Sequence, residues 1–430
     1  VDTFQETYGP CDTTLYGVSI KSQREDLTNL DGLNGLKQIQ GSLSVQNNYG
    51  LGDVSFTALE VIEGDITVRY NTNKNYAPNS VNFPALISLG GSILLDDTSN
   101  AYRLGGFSAD ALERIEGGLF ALNPNISNLS LAKLTTISGN LNVSNTRLSS
   151  LSGLSSLTSV SGSVTISNNQ LLRDIDGLLG LTSLGLTTIS GNGSLLNLSG
   201  LANVTAVDGD LILSANASLR NLDGLTSLTS VSGAMTVDRN LSLPDLNGIN
   251  NLTSVSDLEI SGNTALRYCG GIYDLLNNDS GVSGTALVSG NGIGCQSVED
   301  VSASLGVLQT RASYCYAPGA ITLATQAQVD TFQETYGPCD TTLYGVDIVG
   351  SSRDILNLDG LSGLKQIQGT LRVYSNFSLG DVSFTALEVI EGDIFFENNT
   401  TFDRPSSINF PALISLGGSI RLQNYIYYRL

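Results

Sequence analysis

Short runs in which apolar and other residues alternate recur along most of this chain. Leu211 and Leu213, Met235 and Val237, and Leu258 and Ile260 each flank a single residue of another kind. A period of two marks a strand with one buried face. Val164 and Ile166 join this inward set, while Thr165, Ile212, Thr236 and Glu259 face outward. Ahead of each run stands a Gly, and ahead of that a Leu-x-x-Leu/Val/Ile segment such as Leu157 to Val160. A short Leu-rich segment follows each run.

The unit repeats along the chain. "LSSLTSVSGSVTISNNQLLRDIDG" at 154–177 is answered by "LANVTAVDGDLILSANASLRNLDG" at 201–224. The turn position falls on Gly41, Gly64, Gly91, Gly117, Gly139, Gly162, Gly185, Gly209, Gly233 and then Ser256, in steps of 22 to 27 residues. A fixed short period is the signature of a solenoid. Three short strands in each coil of about 24 residues predict a mainly all-β fold, a triangular parallel β-solenoid. Ten coils stacked at ~4.8 Å make a rod on the order of 5 nm long.

Seven coils close their central strand in Asn: Asn48, Asn71, Asn169, Asn192, Asn216, Asn240 and Asn263. Stacked Asn side chains can hydrogen-bond from coil to coil, and Asn tolerates the left-handed backbone of a tight corner. A structural ladder is expected here rather than a row of metal or glycan ligands. Asn142, Asn203, Asn216 and Asn251 also read as Asn-x-Ser/Thr, which corner composition explains without glycosylation.

A much longer period lies above the coils. "VDTFQETYGPCDTTLYGV" at Val1 to Val18 returns unchanged at Val329 to Val346. "GDVSFTALEVIEGDI" at 52–66 likewise returns at 380–394. Between the two copies the coil pattern fails after Leu266. Ile272, Leu275 and Leu276 fall at helical spacing, a last strand-like piece "GTALVSGNGIGC" follows, and Ser297 with Asp300 suits a helix start. Such helices would cover the open sheet edge that a solenoid leaves at its end. A second cover is expected where Thr325 caps a helix bearing Val329, Phe332 and Tyr336 on one face. The chain thus divides into a first solenoid module over 1–314, with coils at about 28–266 and a cap at about 267–314. A linker, a cap helix and three further coils occupy 315–430. The interrupted second copy reads as a window onto a longer tandem array.

Of the five cysteines, Cys269 and Cys295 flank the first cap and are expected to pair. Cys315 and Cys339 bracket the linker and the second cap helix and form the other expected pair. Cys11 is equivalent to Cys339, so its expected partner lies upstream of residue 1. Spacing does not fix connectivity, and Cys11 paired with any of the four would overturn these boundaries.

Composition narrows the chemistry. There are 40 acidic against 20 basic residues, a net charge of −20, and no His or Trp. A surface of that sign repels nucleic-acid backbones. Without His, no Ser-His-Asp or Cys-His nucleophile system can be assembled, and zinc loses its commonest ligand. Paired carboxylates of the glycosidase kind are present as Asp96 with Asp97, Asp174 with Asp176, Asp208 with Asp210, and Glu63 with Asp65. No pair is set in an unusual coil with a basic partner, and Asp-Gly and Glu-Gly recur as turn chemistry. An ice-binding face would need an unbroken outward Thr rank, which Ile212 and Glu259 interrupt. No cofactor is expected. The acidic surface leaves weak Ca2+ binding open, although neither an EF-hand loop nor a Gly-Gly-x-Gly-x-Asp repeat is present. No run of eighteen apolar residues exists to span a membrane as a helix.

The motif "GLxxLTSVSGxVTISNN" resembles the receptor L-domain-like leucine-rich solenoids. The Cys-bounded phrases "CYAPGAITLATQAQVDTFQETYGPC" and "YCGG…NGIGC" are similar to the openings and caps of tandem L-domain-like modules in giant surface proteins of Bacteroidota. The resemblance implies an exported, extracellular or cell-surface protein, carried by a type IX route, that acts as an adhesin or as a grappling-hook type of attachment filament. Self-association into a multi-chain fibre goes with it. A different expectation is a receptor for a glycan or a cell-surface protein. There Tyr49, Tyr70, Tyr76 and Tyr102, in the wider early coils, would stack on the ligand. The inward positions of the two copies persist while the outward ones drift, which argues against an identical catalytic site in each. A non-enzymatic structural and adhesive role is the expectation.

Overall fold

The computed structural model describes residues 11–22, 27–71, 79–96, 104–278, 280–292, 294–303, 314–315, 320–336, 339–342, 344–350, 355–399 and 407–423. The chain forms two compact units, Val1–Val307 and Leu308–Leu430.

Parallel sheets stacked coil upon coil build the first unit, as a β-solenoid requires. Its central sheet holds twelve described strands, from Val18–Ile20 through Leu211–Ser214 and Met235–Asp238 to Ala286–Ser289. Leu211 lies beside Met235, Met235 beside Leu258, and Leu258 beside Ala286, with no slip of register. The alternation enforces this. Val164, Ile166, Leu211, Leu213, Met235, Val237, Leu258 and Ile260 are all buried, and a one-residue slip would turn every one of them to solvent. The sheet extends beyond the ten coils expected over about 28–266. Val18–Ile20 precedes that range, and Ala286–Ser289 rejoins the stack after the interposed helix Tyr273–Asn277.

A second side carries two-residue strands. Seven run from Thr13–Thr14 to Ser159–Val160, and three more join Ser183–Leu184, Ala206–Val207 and Ser230–Val231. The third side departs from the expected strand in every coil. Among the described residues of this unit it is a sheet only at Val54–Ser55, Asn79–Asn82, Leu104–Ser108 and Asn128–Ser130. In the first coil and again in the later ones it is a 3-10 turn: Asp31–Leu33, then Ser152–Leu154, Asp176–Leu178, Ser199–Leu201, Asp223–Leu225, Asn247–Ile249 and Gly270–Ile272.

Side-chain volume accounts for the change. In the sheet coils Phe56 stacks flat on Phe83 at 5.0 Å, and Phe83 meets Phe107 at 5.6 Å. The coil holding Phe107 carries the small Ala109 where the two coils before it have Phe83 and Phe56, so Phe107 fills the gap from the adjacent inward position. The 3-10 coils instead bring Gly against the previous coil. A Cβ on Gly224 would lie 1.9 Å from the Leu198 carbonyl oxygen, and one on Gly177 would lie 1.8 Å from that of Leu151. Only a residue without a side chain permits that approach.

The first unit ends in the helices Tyr273–Asn277 and Val298–Ala303, with Ile272, Leu275 and Val301 buried. The Asp300 N–H is capped by Ser297 Oγ at 3.3 Å, and Asp300 accepts from the Gln296 N–H at 2.8 Å. In the second unit, Gln326–Asp330 and Phe332–Tyr336 are helical. Thr325 and Gln328 form a reciprocal capping box. Val329 and Phe332 are buried and Tyr336 partly so, its ring 5.2 Å from Phe332. A Cβ on Gly360 would meet the Val329 carbonyl at 1.9 Å, so this helix lies directly on the coil that follows it. Parallel sheets then run through Val346–Val349, Leu371–Tyr374, Ile394–Glu397 and Ile420–Gln423. The aromatic pair recurs there as Phe384 on Phe410 at 5.1 Å.

Candidate functional site: corner ladders and exposed faces

Polar side chains in this protein concentrate at the corners of the coils, where the chain must turn without leaving buried amides unpaired. Asn48, Asn71, Asn169, Asn192, Asn216, Asn240 and Asn263 are all buried. From Asn169 to Asn263 they form one continuous series. Asn192 Oδ1 accepts the Asn169 N–H at 3.1 Å, Asn240 Oδ1 that of Asn216 at 3.0 Å, and Asn263 Oδ1 that of Asn240 at 2.9 Å. Each Nδ2 donates to a strand carbonyl one coil back, as Asn240 does to Leu213 at 2.8 Å. Asn48 and Asn71 are linked in the same way at 2.8 Å.

Four further members escaped the sequence reading. Thr146 stands in an Asn position and donates to Asn169 Oδ1 at 2.7 Å. Asn291 accepts from Asn263 beyond the interposed helix. Asn376 and Asn399 rebuild the motif in the second unit. The left-handed backbone is not on the ladder Asn. It is on the residue before it, at Asn47, Tyr70, Asn145, Asn168, Ala215 and Arg239, and at Gly191 and Gly262. The ladder Asn must instead aim its amide inward along the stack.

A second ladder tightens the corner after the conserved-length Gly turn. Ser42 Oγ accepts the Asp65 N–H at 3.0 Å, and Asp65 accepts that of Ser92 at 2.7 Å. Asn140 accepts from Ser163, Asp210 from Ala234 and Asp257 from Thr285. The N–H of Thr285 holds the Asp257 carboxyl below its usual range, and that of Ser407 does the same for Asp381. At a third position, Asn29, Asn197, Asn221 and Asp245 each accept the N–H two residues on, closing an Asx turn that leads into the 3-10 segment. Along another edge, Thr158, Thr205, Thr229 and Thr253 donate to the carbonyls of Thr135, Thr182, Thr205 and Thr229 one coil back.

This accounting absorbs most of the paired carboxylates. Asp96 meets Arg69 at 3.6 Å. Asp176 accepts from Ser199, Asp208 from Ser232 and Glu63 from Gln38. Asp65 and Asp210 belong to the corner ladder. Asp97 lies outside the described residues, as do Tyr76 and Tyr102. Tyr49 and Tyr70 are half-buried rather than fully exposed. No group of three or more Cys, Asp or Glu that could hold a metal occurs among the described residues. Of the Asn-x-Ser/Thr positions, Asn216 is buried, while Asn203 and Asn251 are exposed and donate to the Leu179 and Thr226 carbonyls at 2.9 and 2.7 Å. Asn142 is half-buried.

Asp245 is the exception among the Asx-turn residues. It is buried, and its Oδ2 has no partner among the described residues. Burial pushes its carboxyl up to about 7, against the pull of the Asn247 N–H and with help from the charge of Asp223.

Cys269 is joined to Cys295, and Cys315 to Cys339. Cys11 is half-buried. Persistent disulfides suit an oxidising compartment. Among the described residues no helix is long and apolar enough to cross a membrane. No family model matches the chain, and a search of curated proteins finds no significant relative.

Proposed function

We propose that this protein is a non-enzymatic, extracellular structural and adhesive repeat protein, a building block of a long cell-surface filament or adhesin. The observation that carries the reading is the use of the corner polar groups. Side chains that could have formed a reactive centre are spent on coil-to-coil hydrogen bonds, and the same devices return in the second unit. Gln38 to Glu63 at 3.0 Å returns as Gln366 to Glu391 at 2.9 Å, and Lys37–Asp12 returns as Lys365–Asp340. Outward positions on the central strands do not return: Ser44 and Thr67 are replaced by Arg372 and Phe395. Repetition of the frame without repetition of a surface site favours a mechanical role. The likeness to L-domain-like modules of Bacteroidota surface proteins agrees with it, as do disulfide-closed caps.

Comparing the attachment of cells with and without the protein tests this. Loss of attachment without it, with no specific ligand bound in a glycan screen of the full chain, is the expected outcome. Unchanged attachment together with a specific glycan bound would favour a receptor.

A further inference from the structure

Arginine is sparse in this acidic chain, yet three arginines share one rank. Arg173, Arg220 and Arg267 are exposed, and none makes an ion pair among the described residues. Backbone bonds fix their alignment. The Leu196 N–H donates to the Arg173 carbonyl, that of Arg220 to Leu196, and that of Arg267 to Pro244. The arginines therefore recur every second coil, about 10 Å apart. Three residues further on, at the start of each 3-10 turn, runs a parallel rank, Asp176, Ser199, Asp223, Asn247 and Gly270, which is acidic in the coils of Arg173 and Arg220. Asp176 and Asp223 are exposed, and they share coils with Arg173 and Arg220. Exposed Leu196 sits between the first two arginines.

The two Arg–Asp levels, Arg173 with Asp176 and Arg220 with Asp223, complement themselves face to face in only one way. A two-fold axis along the stack, midway between the lines, sets each Arg line against the Asp line of the other copy, level for level. Arg173 then faces the Asp176 position and Arg220 the Asp223 position, each pair made twice. An axis across the stack would set Arg against Arg. We propose that this face pairs with the same face of a second copy of this chain, the two lying side by side and parallel. The inference rests on the array reading, in which identical copies lie alongside one another. It adds the partner surface and the polarity. Single exposed ion pairs are weak, so the contact gains strength from repetition along tandem modules.

Sedimentation equilibrium of the full chain tests this at low and high salt. The natural chain should pair at low salt and separate as salt screens the exposed charges. R173E/R220E alone and D176R/D223R alone should each weaken pairing by about tenfold or more. An equimolar mixture of the two should restore it, which also shows that both variants are folded. Pairing that survives in both variants, a mixture that stays unpaired, or a natural chain that is monomeric at low salt would overturn the proposal. Fibres still formed by both variants on cells would leave the array reading standing.

Discussion

Asn216 ties its coil to that of Asn192 twice over. Its Oδ1 accepts the Asn192 backbone N–H and side-chain amide, both at 3.1 Å, while its own Nδ2 donates to the Ile189 carbonyl at 2.8 Å. Both residues are fully buried. Replacing Asn216 with Ala would strand the Asn192 N–H and the Ile189 carbonyl in the core. Each such orphan costs about 1–3 kcal/mol. Asn216→Ala should therefore lower stability by about 3 kcal/mol or more. The exposed Asn203→Ala should stay near about 1 kcal/mol, the worth of one ordinary hydrogen bond. Urea denaturation of both variants checks the contrast.

Close approach sets a second expectation. A methyl on Gly224 would overlap the Leu198 carbonyl at 1.9 Å, whereas one on Gly52 meets nothing nearer than the Thr28 oxygen at 3.8 Å. Gly224→Ala should abolish folding or force the coils apart, and Gly52→Ala should be tolerated. Thermal melting followed by circular dichroism distinguishes them.

Ala215 adopts φ +55° at the position where other coils place Asn168 or Gly191. A left-handed backbone costs a residue with a Cβ roughly 1–2 kcal/mol, part of which Gly returns in unfolded-state entropy. Ala215→Gly should stabilise the protein by about 1 kcal/mol, read as a higher denaturant midpoint with an unchanged slope.

Asp245 gives the first unit a pH dependence of unusual sign for an aspartate. Its folded pKa of about 7 stands above the ordinary 3.8. Between those values the unfolded chain has released the proton and the folded chain keeps it. Stability from this group is full below pH ~4, falls as pH rises toward about 7, and is level above that. The span corresponds to on the order of 4 kcal/mol. Asp245→Asn keeps the acceptor for the Asn247 N–H and places there the residue found at Asn197 and Asn221. The variant should gain over the natural chain at pH 8 and lose that advantage at pH 4. Equal differences at both pH values would contradict the assignment.

How far these features could be read in advance depends on the kind of signal each leaves. Alternation at Leu211–Leu213 and its fellows has a period that admits one fold class, and Thr325 with Gln328 has a spacing specific to helix starts. The third side was less legible. "VSFTALE" and "LDGLTSL" are both short apolar runs, and periodicity does not tell a strand from a 3-10 turn. The difference lies in Phe56 stacking on Phe83 and in the Gly224 approach to Leu198, contacts between coils that no local window contains. The left-handed residue beside the ladder Asn is Asn or Gly in most coils, and where it is Asn the doublet leaves open which of the two turns the corner. The twelfth strand shows in the sequence as the strand-like "GTALVSGNGIGC", although the inserted helix parts it from the regular coil spacing. Asp245 reads like any other turn Asp until the fold buries it.

The account as a whole rests on repetition, and electron microscopy of the native protein on and off the cell tests that most directly. A long fibre with an axial repeat of roughly 5–7 nm, about a dozen coils plus caps at strand spacing, is the expected result. Short isolated rods with no regular association would contradict it and point to a ligand-binding surface receptor instead.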